Sequence, residues 1–453
     1  MQRTLLFKLI AILALTLLIC LPMTLIERTI VERSHFREEA VASIAADSQR
    51  EQTVIGPVLL IPYSEQYDEQ VTENGAVRTV TRTVQRQHMV FPNTLQVNGT
   101  IDTDRRYRGI HQVLVYSGQH KFGGDFALPA KADLPHAGAN PKITVGRVSM
   151  ALGVEDVRGI RNIPKVKWGS QVIEFQQGSG LRSFPRGVHA ALDQISLEKP
   201  EAVSFSFDLG LDGIERQHFA PIGKNNEITL KSTWAHPQFG GRFLPQARER
   251  TITDDGFNAT WRISSLSTSA QQQLSSMEEK ATPHDATLAG LDRFSVGFIE
   301  PVNVYSLAER ATKYGLLFVA LTFAAFFIFE VLKRLPIHPV QYLLVGLALA
   351  LFFLLLVGLS EHIAFALAYL IASAGCIVLI GFYLSFVLHN WMRGMGFGVA
   401  LTMLYGALYG LLVSENNALV LGSILLFAIL AAVMVATRKV DWYQVGKTDF
   451  AAV

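Results

Sequence analysis

The stretch GLLFVALTFAAFFIFEVL, residues 315–332, carries a single charge, Glu330, in its eighteen positions. As a helix rising about 1.5 Å per residue it runs about 27 Å, close to the roughly 30 Å of hydrocarbon in a bilayer. Soluble domains average about 25% charged residues, whereas this chain has 17%. The deficit is local. From Gly315 to Arg438 only seven residues are charged (Glu330, Lys333, Arg334, Glu361, Arg393, Glu415 and Arg438), all between apolar runs or at their edges. Those runs are 315–332, 340–359, 363–388, 394–413 and 418–436; another, at 5–26, is interrupted only by Lys8. The chain is therefore expected to be a membrane protein with one N-terminal transmembrane helix and a C-terminal bundle of five.

The first run reads as an uncleaved anchor. Residues 21–26, LPMTLI, lack the small residues of a signal-peptidase site, and Leu18 and Ile19 lack the small side chain expected beside a lipidated Cys20. Orientation follows from Lys and Arg, which favour short cytoplasmic loops. Arg3 and Lys8, Lys333 and Arg334, Arg393, and Arg438 and Lys439 fall on one side, while the turns at Glu361-His362 and 414–417 carry no Lys or Arg. The expected topology is a membrane protein with six spans. Both termini, including the tail 438–453, are placed in the cytoplasm and residues 27–313 outside.

That outer segment holds 33 acidic and 32 basic residues. Near-neutral charge without a basic run argues against nucleic acid. Over 27–49, Ile30, Val31, Ala40, Val41 and Ile44 recur at helical spacing, so the first span is expected to continue as a helical stalk. The pattern then turns to strands. AVSFSFDL, residues 202–209, alternates with period two as a half-buried strand does. Further candidates are 54–62, 77–91, 110–116, 142–150, 171–175, 227–234 and 256–263, separated by Gly, Pro and Asn turns. The expectation is a large β-rich outer domain of α+β class, a sandwich-like antiparallel domain or two such lobes. A loop with a short helix is expected over 264–290, and a helix over 303–314 leading into the second span. Cys20 and Cys376 both lie in spans, so this domain must hold together without disulfides, which its size allows.

Chemistry-bearing motifs are few. The twelve histidines form no His-Glu-x-x-His and there is no Cys-x-x-Cys, so no metal and no cofactor is expected. Gly178-Ser-Gly180 is not a hydrolase elbow, and Gly394-Met-Gly-Phe-Gly398 lacks the dinucleotide spacing; no catalytic residue is assigned. Some structural or interaction candidates remain. Asp156 and Arg158 pair a carboxylate with a guanidinium, chiefly an ion pair or turn. Glu361 and His362 sit at the membrane surface, where a histidine can respond to pH. WAHPQFGG, residues 234–241, looks like a streptavidin-binding tag yet lies mid-chain. Its expected structure is a strand end and Pro turn, with Trp234 and Phe239 in the core and His236 as a possible ligand. Gly406 and Gly410 form a GxxxG that lets helices approach closely. No ionisable group stands at mid-span, against ion-coupled transport; Thr322, Ser373, Ser385, Thr402, Tyr405 and Tyr409 are expected to bond to the backbone or to neighbouring helices.

Over nearly its whole length the chain resembles the CreD family of inner-membrane proteins, also called cell envelope integrity proteins. The resemblance runs through Gly56-Pro57, Ile61-Pro62, Arg108-Gly-Ile110, residues 156–160 (DVRGI), Gly187-Val-His189, Phe243-Leu-Pro245 and Gly256-Phe257 with Trp261. It continues through residues 310–330, 338–346, Ser360-Glu-His362 and Asp441-Trp-Tyr443. Where the family reads Trp-Pro-His-Pro-Ser-Phe, this chain has Ala235 and Gln238, and those two changes create the tag-like appearance of a native segment. The resemblance implies maintenance of the cell envelope under the Cre regulatory system, with links to colicin tolerance and to β-lactam and envelope stress. It implies no enzymatic activity, substrate or cofactor. The expected function is non-enzymatic, with the outer domain binding a periplasmic or envelope partner. A transporter or lipid-handling protein is the alternative, and a cell-wall hydrolase the third.

Overall fold

A computed structural model describes residues 2–73, 76–109, 111–138, 141–193, 195–281, 290–298, 304–333, 337–388, 390–414 and 418–438. Arg334, Ile110, Asn303, the turn 415–417, most of the loop 282–290 and the tail from Lys439 lie outside these. The chain divides into two compact units, Met1–Glu39 with Val302–Val453, and Ala40–Pro301.

The second unit is built on two mixed sheets. One contains β1 (Gln52–Glu73), β2 (Ala76–Val90), β5 (Lys142–Val145), β6 (Val148–Val154), β9 (Gln176–Gln177), β10 (Gly187–Leu192), β12 (Arg216–Phe219), β14 (Pro237–Gly241) and β17 (Phe294–Phe298). Its order is β14-β17-β12-β1-β6-β10-β9, with β2 and β5 also paired to β1. The other contains β3 (Thr94–Arg108), β4 (His111–Leu128), β7 (Lys165–Trp168), β8 (Gln171–Glu174), β11 (Glu201–Ile214), β13 (Asn225–Ser232), β15 (Arg250–Thr253) and β16 (Gly256–Ser264). It runs β15-β16-β13-β3-β4-β11-β7-β8.

Period two places the residues. In β11, Phe205, Phe207 and Leu209 are buried while Ser204, Ser206 and Asp208 face out. Inner faces of both sheets enter one core, from Val54, Leu59, Met150 and Ala190 on one side to Val97, Phe122, Leu209 and Leu230 on the other. Trp261 of β16 stacks on Phe294 of β17, ring centroids 4.6 Å apart, fastening sheet to sheet. Helix α2 (Ala270–Lys280) closes the core with Ala270 and Leu274.

Two expectations change. The sheets are not purely antiparallel: β12 joins β1 in parallel and β13 joins β3 in parallel. Each of these pairs is separated by more than a hundred residues, so no tight hairpin forces the antiparallel arrangement. The stretch 142–150 is two strands, broken where the Gly146 N–H bonds the Pro62 carbonyl at 2.7 Å.

The first unit comprises α3 (Val304–Lys333), α4 (Pro339–Ser360), α5 (Phe365–Val387), α6 (Trp391–Val413), α7 (Ala418–Thr437) and the start of α1 (Gln2–Asp47). Span and stalk form one continuous helix, as do 303–314 and the second span from Val304 onward. Among the described residues α1 and α3–α6 are long and apolar enough to cross a membrane, and the apolar stretch of α7, Val420–Val435, is shorter. Close approach fixes α1 in the bundle: a Cβ on Gly346 of α4 would lie 2.9 Å from Ile19, and one on Gly315 of α3 2.2 Å from Met23. Thr322, Ser373, Ser385 and Thr402 donate to carbonyls of their own helices, and Tyr405 donates to the sulfur of Cys376. That is how hydroxyls are accommodated in hydrocarbon.

Candidate functional site

The Asp156–Arg158 segment is the densest polar constellation that the sequence singled out. After β6 the chain makes a short turn at Val157–Gly159, with the Asp156 carboxylate accepting the Arg158 backbone N–H at 3.1 Å. The Arg158 side chain closes on the same carboxylate, its shortest contact 2.6 Å. Its remaining N–H groups reach the Ala46 carbonyl at 2.7 Å and the Ala45 carbonyl at 3.1 Å. Those are unsatisfied carbonyls in the last turn of α1, and a cation there also suits the helix dipole. Beneath the turn, Gln52 accepts from the Asp156 N–H at 3.1 Å and donates to the Asp156 and Asp212 carbonyls at 3.0 and 2.9 Å. Gly159 is required here, because a Cβ would stand 2.3 Å from the Asp212 oxygen. Burial works to raise the Asp156 pKa, but the Arg158 guanidinium and amide and the Arg50 amide outweigh it and hold the carboxyl low. Both side chains have their hydrogen bonds committed. The constellation is a clamp on a helix end.

WAHPQFGG is where the chain leaves one sheet for the other, since β13 ends at Ser232 and β14 begins at Pro237 in the opposite sheet. Phe239 packs edge-on against Phe257 and Trp261, at 5.7 and 5.5 Å. Trp234 is only half-buried, resting against the core's margin rather than inside it. Its indole N–H donates to the carbonyl of His236 at 2.9 Å, which keeps the ring over the turn. His236 itself is exposed.

At the end of α4, Glu361 accepts the Tyr305 hydroxyl at 3.2 Å and faces Arg33 of α1 at 3.8 Å. His362 is exposed, with its backbone N–H on the Leu359 carbonyl. Gly406 and Gly410 are exposed, and a Cβ on either would meet nothing within 4 Å. That pair therefore packs no helix of the described chain. Within each unit the structure brings no two of these places together.

Sequence reasoning missed two polar clusters. Glu330, 3% exposed, accepts the Tyr342 hydroxyl at 2.8 Å, the Ile337 N–H at 3.3 Å and the Lys8 ammonium. Lys8 and Glu330 each interrupted an apolar run, and a charge in such a run usually has a partner. With Arg33, Lys8 ties α1 to the bundle at two points 25 positions apart, about 38 Å of helix, slightly more than the hydrocarbon layer. The second cluster lies between the sheets. His120 is 1% exposed, its Nε2 2.9 Å from the Gln217 amide nitrogen. Its Nδ1 and the Gln217 oxygen have no protein partner among the described residues. Burial lowers the His120 pKa to about 4.

The chain's matches to known proteins agree with this architecture. A family model described as "Inner membrane protein CreD" fits residues 4–443. The chain belongs to this family. Inner membrane protein CreD of Escherichia coli (strain K12) is 35% identical over 443 residues, covering 98% of this chain and 95% of that protein. Two crystal structures of an M1 zinc metallopeptidase from Deinococcus radiodurans match far more weakly. A mutant bound to a Tyr-ser-ala substrate gives TM-score 0.22 at 10% identity, covering 38% of this chain and 39% of that one. The other gives 0.21 at 9%, covering 46% and 42%. Scores this low carry no argument about a CreD-family protein.

Proposed function

We propose that this inner-membrane protein maintains the cell envelope without catalysing a reaction, its β-rich domain standing outside the membrane and binding an envelope partner. The Cre-regulated role in colicin tolerance and in β-lactam and envelope stress is part of the same reading. The observation that carries it is how the domain uses its buried acids. Asp156 clamps a helix end. Glu65 accepts the Ala137 and Gly138 N–H groups and Arg86. Glu278 accepts the Arg182 and Ser183 N–H groups. Asp292 accepts the Ser269 N–H and Thr268 hydroxyl and faces Arg242. Each carboxylate is committed to holding a loop in place, which builds a rigid surface for recognition rather than a centre that exchanges protons.

A second reading, transport or lipid handling by the helices, has one observation in its favour, the buried Glu330 with Lys8 and Tyr342. The two readings separate in a strain lacking the gene. If the β-rich domain carries the function, Glu330→Gln present at normal abundance restores colicin and β-lactam behaviour as the wild type does. Normal abundance with no restoration would favour the helices.

A further inference from the structure

Strand β1 runs for 22 residues and β2 for 15, well beyond the usual 3–10. Their register is unbroken from Leu59↔Val90 to Glu73↔Ala76, with no bulge. On β1's other edge, β6 and β5 pair only as far as Gln66. Beyond it, 67–73 and 76–82 form a ribbon of two strands with no third strand among the described residues. The root of this arm is firm: buried Glu65 holds Arg86 and the Ala137 and Gly138 amides, and the Tyr63 hydroxyl donates to the Pro135 carbonyl. Two-stranded ribbons are marginal in water and gain from a third strand. A long free edge offers unpaired N–H and C=O groups, and proteins usually blunt it with Pro, a bulge, shortness or charged side chains. β2, AVRTVTRTVQRQHMV, is long, has no Pro and no bulge against β1, and carries three arginines as its only charges.

The side chains point to the kind of strand that fits. β2 has Arg78, Arg82 and Arg86 and no acid, while the paired part of β1 carries Glu65, Asp68, Glu69 and Glu73. Arg86 pairs with Glu65 and Arg82 with Glu69, whereas exposed Arg78, opposite Val71, has no ion pair among the described residues. Both edges of β2 present the same side chains, so the edge that already holds an acidic strand shows what the open edge accepts. A second β2 is a poor fit, because registers that align the four-residue Arg repeat oppose like charges. We propose that the arm is a strand-addition site, taking an extended acidic segment of a partner protein along the free edge of β2. This rests on the reading that the β-rich domain binds an envelope partner.

The test uses the full-length protein in lipid nanodiscs and a labelled peptide, YSEQYDEQVTE, copied from β1. A second peptide has its four acids replaced by amides. The expected result is that the acidic peptide binds and the amide peptide binds less well. Arg78→Glu, at an exposed position, should weaken the acidic peptide about tenfold while proteolysis shows an intact fold. Lys231→Glu on β13 should leave it unchanged. Equal binding of both peptides, or indifference to Arg78→Glu, overturns the proposal. So does a dimer of the chain that Arg78→Glu disperses, which would make a second copy the occupant. Absence of peptide binding in a chain that still restores the deletion strain overturns the arm alone and leaves the wider reading standing.

Discussion

Buried His120 is the side chain expected to make the β-rich domain sensitive to acid. It sits edge-on to Phe219, and its folded pKa of about 4 lies below the ordinary 6.5 because burial penalises the charged ring. Between those values the unfolded chain takes up a proton that the folded one refuses, so stability falls as pH drops from 6.5 towards 4. A shift of this size corresponds to roughly 3 kcal/mol at most. Asp156, held low, adds stability that is lost only under more acid conditions. His120→Gln should therefore flatten the dependence of the unfolding midpoint on pH between 6.5 and 4; an unchanged slope would assign the acid sensitivity elsewhere. Trp234, half-buried, should cost about 1–3 kcal/mol on change to Ala, less than a fully buried aromatic. Exposed His236→Ala should stay within about 0.5 kcal/mol. Denaturant titration of the two variants checks the ranking. The sequence showed that Trp234 packs, but not how deeply, because the depth is set by a hydrogen bond to the turn's own carbonyl.

At the scale of elements, what was legible depended on whether the signal was local. Each apolar run became helix, because composition alone determines whether a segment suits hydrocarbon. Those from α4 to α7 end within a few residues of the expected bounds, while α1 and α3 run on into the stalk and the 303–314 stretch. Strand β3 was missed: it contains Asn98-Gly99, a pair that favours hairpin turns, yet Gly99 lies inside the strand. A Cβ there would stand 2.5 Å from the His120 ring, so the glycine makes room for a histidine on the neighbouring strand. Mixed pairing was hidden in the same way, being set by contacts distant in sequence. Among the glycines of residues 394–398, the structure separates one from the rest. A Cβ on Gly394 would lie 2.7 Å from the Ser385 backbone, whereas one on Gly396 meets open space. Gly394→Ala should lower the unfolding midpoint in detergent by the equivalent of about 1–3 kcal/mol. Gly396→Ala should change it little, and equal effects would refute the close α5–α6 approach.

For the whole molecule, the proposed topology sets the β-rich domain on one side of the membrane and the Lys- and Arg-bearing connections between spans on the other. Lys8 with Glu330 and Arg33 with Glu361 tie α1 to the helical bundle at its two ends, while Asp47 pairs with Arg108 and Arg158 caps the carbonyls before it within the β-rich unit. The expected topology rests on a difference between loops, which is a local signal; the ties of α1 to the bundle were not legible, because each joins residues more than three hundred positions apart. Paired reporter fusions measure it directly. A reporter active only when exported should work after Gln49 and after Glu415, and one active only in the cytoplasm should work after Arg334, Arg393 and Val453. Cytoplasmic activity after Gln49 would place the β-rich domain inside the cell and contradict the account.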